Sequence, residues 1–235
     1  FVFQSNELLE AFRFGHICSV QMVSDILLII LNTFWCLVIP YRAEYLLQSR
    51  VAMVVGVISK SLYFFTCKLH VLMAVNRFCF IFFFKENPKT TKIFKGAIVV
   101  CASLATLQSA VGPLLDSKLF VVFSSVTLRW MFATTEWTPF YEAYFEYYVV
   151  LTECSTIIVL DSLSFFKLRS IHRQVSGSQK AAAREMRLLL QSFCQLIPLS
   201  TVMVFFFFVA PNCASEFVSF LCSTAVWHFG IALDG

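Results

Sequence analysis

The stretch from Ser61 to Lys85, SLYFFTCKLHVLMAVNRFCFIFFFK, is an almost unbroken apolar run that carries Asn76-Arg77-Phe78 in its last third. A run of that length crosses the ~30 Å hydrocarbon core of a bilayer as a helix, because in lipid the backbone must satisfy its own hydrogen bonds. A charge at that depth costs several kcal/mol unless it faces water or a partner. Arg77 is therefore either a functional group or a side chain that snorkels to the headgroups along its own stem.

Composition extends the bilayer assignment to the whole chain. Of 235 residues, 59% are hydrophobic and 28 are Phe, and the mean hydropathy is +0.78, which leaves too little polar surface for a soluble domain of this size. Only 14% of residues are charged, and a net +4 dispersed along the chain does not make a nucleic-acid surface. Nearly all of the nine cysteines fall inside apolar runs, where Cys behaves as a small buried hydrophobe; Cys213 is the one expected in an exterior loop.

Runs of about 20 apolar residues mark six spans, near 17–40, 53–84, 96–115, 141–166, 188–210 and 217–233. The fifth carries Pro198, which removes a helical hydrogen bond and kinks the span, making it a candidate hinge. Lys and Arg favour the cytoplasmic side. They collect between the second and third spans (Lys85, Lys89, Lys92, Lys95) and between the fourth and fifth (Lys167, Arg169, Arg173, Lys180, Arg184, Arg187), whereas the other connections are poorer in them. The expected topology alternates accordingly, with residues 1–235 forming a single transmembrane domain.

Motifs in chain order give this pattern a family likeness. Arg13-Phe14-Gly15 opens the first span and Trp35 with Pro40 closes it; His70 and Asn76-Arg77-Phe78 lie on the second; Asp161 precedes Lys167-Leu168; Leu189-Leu190-Gln191-Ser192 opens the fifth; Trp227 precedes Asp234-Gly235. Together they resemble the Srx class of nematode serpentine chemoreceptors, which are rhodopsin-like, G protein-coupled receptors. The resemblance implies an all-α, seven-transmembrane receptor bundle with six spans visible and the first helix missing. It implies a chemosensory receptor in the plasma membrane of sensory cilia that binds a small ligand from the exterior and activates a heterotrimeric G protein through Asn76, Arg77 and Phe78. On that reading Arg77→Ala is expected to reduce activation with surface expression near normal.

One departure stands out. The disulfide that ties the outer end of the third receptor helix to the next exterior loop is missing, since Ala52 occupies the expected position and residues 116–139 contain no Cys. Either the loop is held by its own Trp130, Phe132 and Trp137, or this member folds poorly.

Spacing places a tentative ligand pocket at Ser59, Lys60 and Tyr63, fourteen to eighteen residues before Arg77 and ~20–27 Å outward. Tyr147, Tyr148, Phe205 and Phe206 are expected to complete an apolar, aromatic lining suited to a small apolar or amphipathic ligand. Lys60 either meets an anionic ligand group or snorkels outward, with snorkelling favoured. Cys67 and His70 share a helix face, but two residues are too few for a metal site, and a packed Cys with a hydrogen-bonded His is the simpler reading. No cofactor is expected.

The intramembrane charges at Asp25, Lys68, Glu153 and Asp161 also fit a secondary transporter or proton relay, although no internal repeat accompanies them. An enzyme is not expected, because neither H-E-x-x-H nor G-x-S-x-G occurs. A non-functional truncated receptor product is the remaining alternative. Depth pairs Lys68 with Glu153, keeping Asp25 as rival partner. Asp161 reaches the level of Arg77, but Lys68 and Arg77 are nine residues apart, about 180° around the helix, so one facing helix is not expected to serve both.

Overall fold

The computed structural model describes residues 15–35, 50–83, 88–124, 129–174, 190, 194 and 196–234. Arg13, Phe14, Pro40, Leu189, Gln191, Ser192 and Gly235, as well as residues 85–87 and 175–187 of the two basic connections, lie outside them.

The first helix, α1 (Gly15–Trp35), is 21 residues long, about 31 Å, and so matches the hydrocarbon thickness. Ile17, Gln21, Ser24, Leu28, Asn32 and Trp35 recur at steps of three or four and are buried, while Met22, Ile26, Ile30 and Phe34 are exposed. The polar residues thus share the inward stripe with apolar ones, and the outward face is apolar through the middle of the helix, with exposed His16, Ser19 and Thr33 only towards its ends. Polar contacts fasten that stripe to the next helix. Thr66 Oγ1 donates to Asp25 Oδ1 (2.9 Å), and the Gln21 amide lies 3.0 Å from His70 Nε2.

Helix α2 (Arg50–Phe83) has 34 residues, about 51 Å, so it exceeds the apolar thickness and is buried along most of its length. Among the described residues it contributes to every buried apolar cluster. Leu69, Leu72 and Met73 meet Ile17 and Phe94; Phe64 and Cys67 meet Ala105, Val150, Cys154 and Met203; Ala52 meets Trp35 and Trp130. Helix α3 (Pro88–Leu115) begins at a proline, which lacks only an N–H that the first turn leaves unbonded anyway. Its outer face, including Val99, Val100, Leu104 and Leu107, is exposed and apolar.

A β-hairpin follows, with β1 (Val121–Ser124) antiparallel to β2 (Arg129–Phe132) and Val121 opposite Phe132. It departs from a purely helical expectation, because a connection outside the hydrocarbon can pair its own backbone as strands. The hairpin lies against α2. A Cβ on Gly56 would stand 2.1 Å from the Val121 carbonyl oxygen, so only glycine permits this approach.

Helix α4 (138–174) starts with Thr138, whose hydroxyl donates to the Ala133 carbonyl (2.8 Å) and accepts from the Thr135 N–H (2.9 Å). Helices α5 (Leu196–Asn212) and α6 (216–234) complete the described bundle. Each of these three contains a π-helical turn, at Glu142–Tyr147, Phe205–Val209 and Leu221–Ala225. Such a turn inserts one residue into the helical register and re-aims the side chains beside it. The Ser219 hydroxyl donates to the Ala210 carbonyl (3.2 Å) and joins α6 to α5.

Candidate functional site

A partly open cavity lies between the outer parts of α2, α4, α5 and α6 and beneath the hairpin. Helix α2 supplies Gly56, Ser59, Lys60 and Tyr63, spaced three or four apart around a single face. The hairpin supplies Trp130 and Phe132, and α4 supplies Glu146 and Val150. Phe206 and Phe207 come from the π turn of α5, and Trp227 from α6, where it meets Tyr63 edge-on at 5.9 Å between ring centroids. Tyr147 and Tyr148 do not line it. Tyr147 packs edge-on against Phe207 (5.3 Å), and Tyr148 is 51% exposed on the outside of the bundle. Glu146, Val150 and Glu153 follow one another at ordinary helical steps of four and three on the face turned to α2, and Tyr147 beside them packs on the central apolar cluster.

Lys60 neither snorkels nor stands free. Its ammonium is buried, ion-paired with Glu146, and lies 3.8 Å and 4.3 Å from the ring centroids of Phe132 and Tyr141. Two aromatic faces and a carboxylate replace the water it gives up. Ser59, by contrast, is a lining residue only 2% exposed, and its covered hydroxyl has no hydrogen-bond partner among the described residues.

Below this, Lys68 Nζ lies 2.8 Å from Glu153 Oε1 and donates to Gln108 Oε1 at 2.6 Å. The Gln108 amide in turn donates to the Phe145 carbonyl (2.6 Å), inside the π turn of α4, where a main-chain acceptor is released from the α-helical pattern. Tyr141 closes the link by donating its hydroxyl to the Gln108 carbonyl (2.8 Å). Asp25 accepts from Thr66 as described, so Lys68 goes to α4 and α3.

At the inner end Arg77 Nη2 reaches both Asp161 oxygens, Oδ1 at 3.1 Å and Oδ2 at 3.2 Å, with the two side chains 4% and 2% exposed. One helix therefore serves both Lys68 and Arg77, contrary to the expectation from their 180° separation. Lys68 comes from the side shared with α3, where Gln108 also holds it, and the long stems of lysine and arginine take up the angular mismatch that short side chains would not. Asn76 beside Arg77 is buried, and Phe78 stacks on Phe82 at 4.3 Å.

The result, among the described residues, is a ladder of three ion pairs between α2 and α4. Lys60, Lys68 and Arg77 step by eight and nine residues, and Glu146, Glu153 and Asp161 by seven and eight. Partners in rising order on both helices mean that the helices run in the same direction and stay in register. Motif and depth alone single out neither Glu146 nor Gln108. The signals that mark them are the matched spacing of bases and acids and the isolation of Gln108 as the only glutamine of the third apolar run.

Pro198 lies near the start of the described part of α5, and its carbonyl oxygen would stand 3.8 Å from a Cβ on Gly230 of α6. Cys67 is packed in the central apolar cluster, and among the described residues no group of His, Cys, Asp and Glu is placed to hold a metal ion. All eight described cysteines are free.

Against known families, the model of the serpentine type 7TM GPCR chemoreceptor Srx matches residues 3–235, almost the entire chain. No curated protein matches it.

Proposed function

The chain belongs to the Srx family of serpentine seven-transmembrane chemoreceptors, a family of multi-pass membrane proteins, and from that premise we propose that it admits a small ligand to the outer cavity and activates a heterotrimeric G protein at its cytoplasmic end, in the plasma membrane of sensory cilia. The observation that supports this reading is the position of α2. The same helix lines the cavity through Ser59, Lys60 and Tyr63 and carries Arg77 fourteen to eighteen residues further on, ~20–27 Å away. Arg77 turned to Asp161 is the resting arrangement, and activation requires the guanidinium to leave that carboxylate for the cytoplasmic cleft, where the G protein enters when helices swing apart. Pro198 serves as the hinge for such a swing.

The three ion pairs also bear on a proton relay. Each base has its acid on the same neighbouring helix, an arrangement that clamps two helices, whereas a relay needs acids that exchange protons with one another or with water.

Nucleotide exchange on a co-expressed heterotrimeric G protein, normalised to surface receptor and measured without ligand, tests the reading. Asp161→Asn should raise exchange by releasing Arg77. Arg77→Gln combined with Asp161→Asn should reach the surface and fail to stimulate exchange. Wild-type exchange from that double variant would remove Arg77 from the coupling machinery.

A further inference from the structure

We propose that the outer cavity selects an electrically neutral ligand, an apolar body carrying one hydrogen-bonding group such as a hydroxyl or carbonyl, and that this group docks on Ser59. The inference rests on the reading of the cavity as the ligand site and adds the chemistry of what enters it.

Three observations lead to it. Apart from Ser59, Lys60 and Glu146, the cavity walls are apolar or aromatic, so the body of the ligand must be apolar. The two charges at the wall are already spent on each other. Lys60 is ion-paired with Glu146 and its remaining faces lie against the Phe132 and Tyr141 rings. A ligand carboxylate could reach Lys60 only by displacing Glu146, which would leave that carboxylate buried without its cation. A ligand ammonium faces the converse problem. Aromatic walls that include Trp130 and Trp227 would suit an organic cation, but the fixed ammonium of Lys60 stands in the same space and cancels the attraction of Glu146. Net charge on the ligand is therefore disfavoured with either sign.

The third observation is Ser59. It is a wall residue whose covered hydroxyl has one proton to give and two lone pairs to receive, and no group among the described residues uses them, so a turn about its χ1 torsion would present it to a ligand. A buried polar group without a partner is unfavourable, and a ligand that brings a hydroxyl or carbonyl to it gains the bond that the protein alone does not make. A pure hydrocarbon of the same shape leaves it unmade.

The test uses the purified full-length chain in lipid nanodiscs and reads the saturable quenching of tryptophan fluorescence, since Trp130 and Trp227 line the cavity. The probes are terminally brominated octanol, octanal, octanoate, octylamine and octane. Octanol and octanal should bind at least about tenfold more tightly than octanoate or octylamine. They should also outbind octane, and Ser59→Ala should reduce that advantage to parity while leaving octane binding unchanged. Octanoate binding as tightly as octanol would show that the Lys60–Glu146 pair opens to anions and would overturn the proposal; octylamine doing so would overturn it in favour of an aromatic cation site. Absence of saturable quenching by every probe would overturn it as well. Val150→Phe, which fills the cavity from α4, separates the two levels of the argument. If it abolishes binding and the wild-type head-group order is the reverse of that expected, the ligand class is wrong and the site stands. If it leaves binding intact, the probes sit elsewhere and both fail.

Discussion

The outer and inner ends of the α2–α4 interface solve the same electrostatic problem with different side chains. At the outer end Lys60 and Glu146 border a cavity, and the cation is a point charge held partly by ring faces. At the inner end Arg77 and Asp161 are more deeply buried, and the guanidinium grips both carboxylate oxygens. A lysine ammonium tolerates rotation about its partner, whereas a guanidinium–carboxylate fork is directional and has few intermediate geometries. The contrast teaches that the charge ladder is stiff where a switch needs two discrete states and compliant where a guest must fit. The middle rung, Lys68 with Glu153 and Gln108, differs from both in adding a neutral side chain to the pair.

Breaking the inner rung should have the largest effect. Removing one member of a buried pair leaves an uncompensated charge and costs about 3–5 kcal/mol. Arg77→Ala should therefore depress surface expression as well as signalling, and not signalling alone as the sequence motif by itself implies. Quantitative surface labelling should show the loss, and Arg77→Gln with Asp161→Asn should recover most of it. Near-normal expression of Arg77→Ala alone would mean that the two ends of the ladder do not differ in the way described.

The middle rung gives the next effect. Lys68→Met and Glu153→Gln should each lower the folded fraction, by about 3 kcal/mol at the gentle end of the same range because both side chains retain some exposure. The double variant should recover much of the yield, measured by size-exclusion chromatography of fluorescently tagged receptor. Losses that add would reject the pairing.

The smallest effect sharpens the comparison at the outer end. Gly56→Ala places a methyl group against the Val121 carbonyl oxygen and should displace the hairpin, at a cost of about 1–3 kcal/mol for overpacking. Hydrogen exchange should quicken at Val121 and Phe132, and the residues around Arg77 should keep their protection. Equal acceleration at both ends would show one cooperative unit where we describe two.

The hairpin also answers the question raised by the missing disulfide. Ala52 stands where the family's bridge is expected, and it is buried against Trp35 and Trp130. One turn further along the helix, Gly56 admits the strand itself, while Phe132 meets Tyr141 edge-on at 5.5 Å. Among the described residues the loop is held by close packing and by strand pairing, and two of the three aromatics named from sequence, Trp130 and Phe132, take part. Trp137 turns to Phe140 instead.

Much of this molecule is written in local pattern. Membrane-length apolar runs define the helices because lipid offers the backbone no other partner, and the ordered motifs around Asn76-Arg77-Phe78 carry the family. Depth along a helix is also local, at about 1.5 Å per residue, so the shared level of Lys68 and Glu153 follows from counting residues along the chain. Rotation about each helix axis does not follow in that way. Whether Lys60 points to lipid, solvent or Glu146, and whether one helix can face both Lys68 and Arg77, depends on packing angles and on the π turn at Glu142–Tyr147. That turn offers the Phe145 carbonyl to Gln108. No periodicity announces a π turn. It is decided by contacts between helices far apart in the chain, which is why tertiary structure alone assigns the cavity its walls and each buried charge its partner.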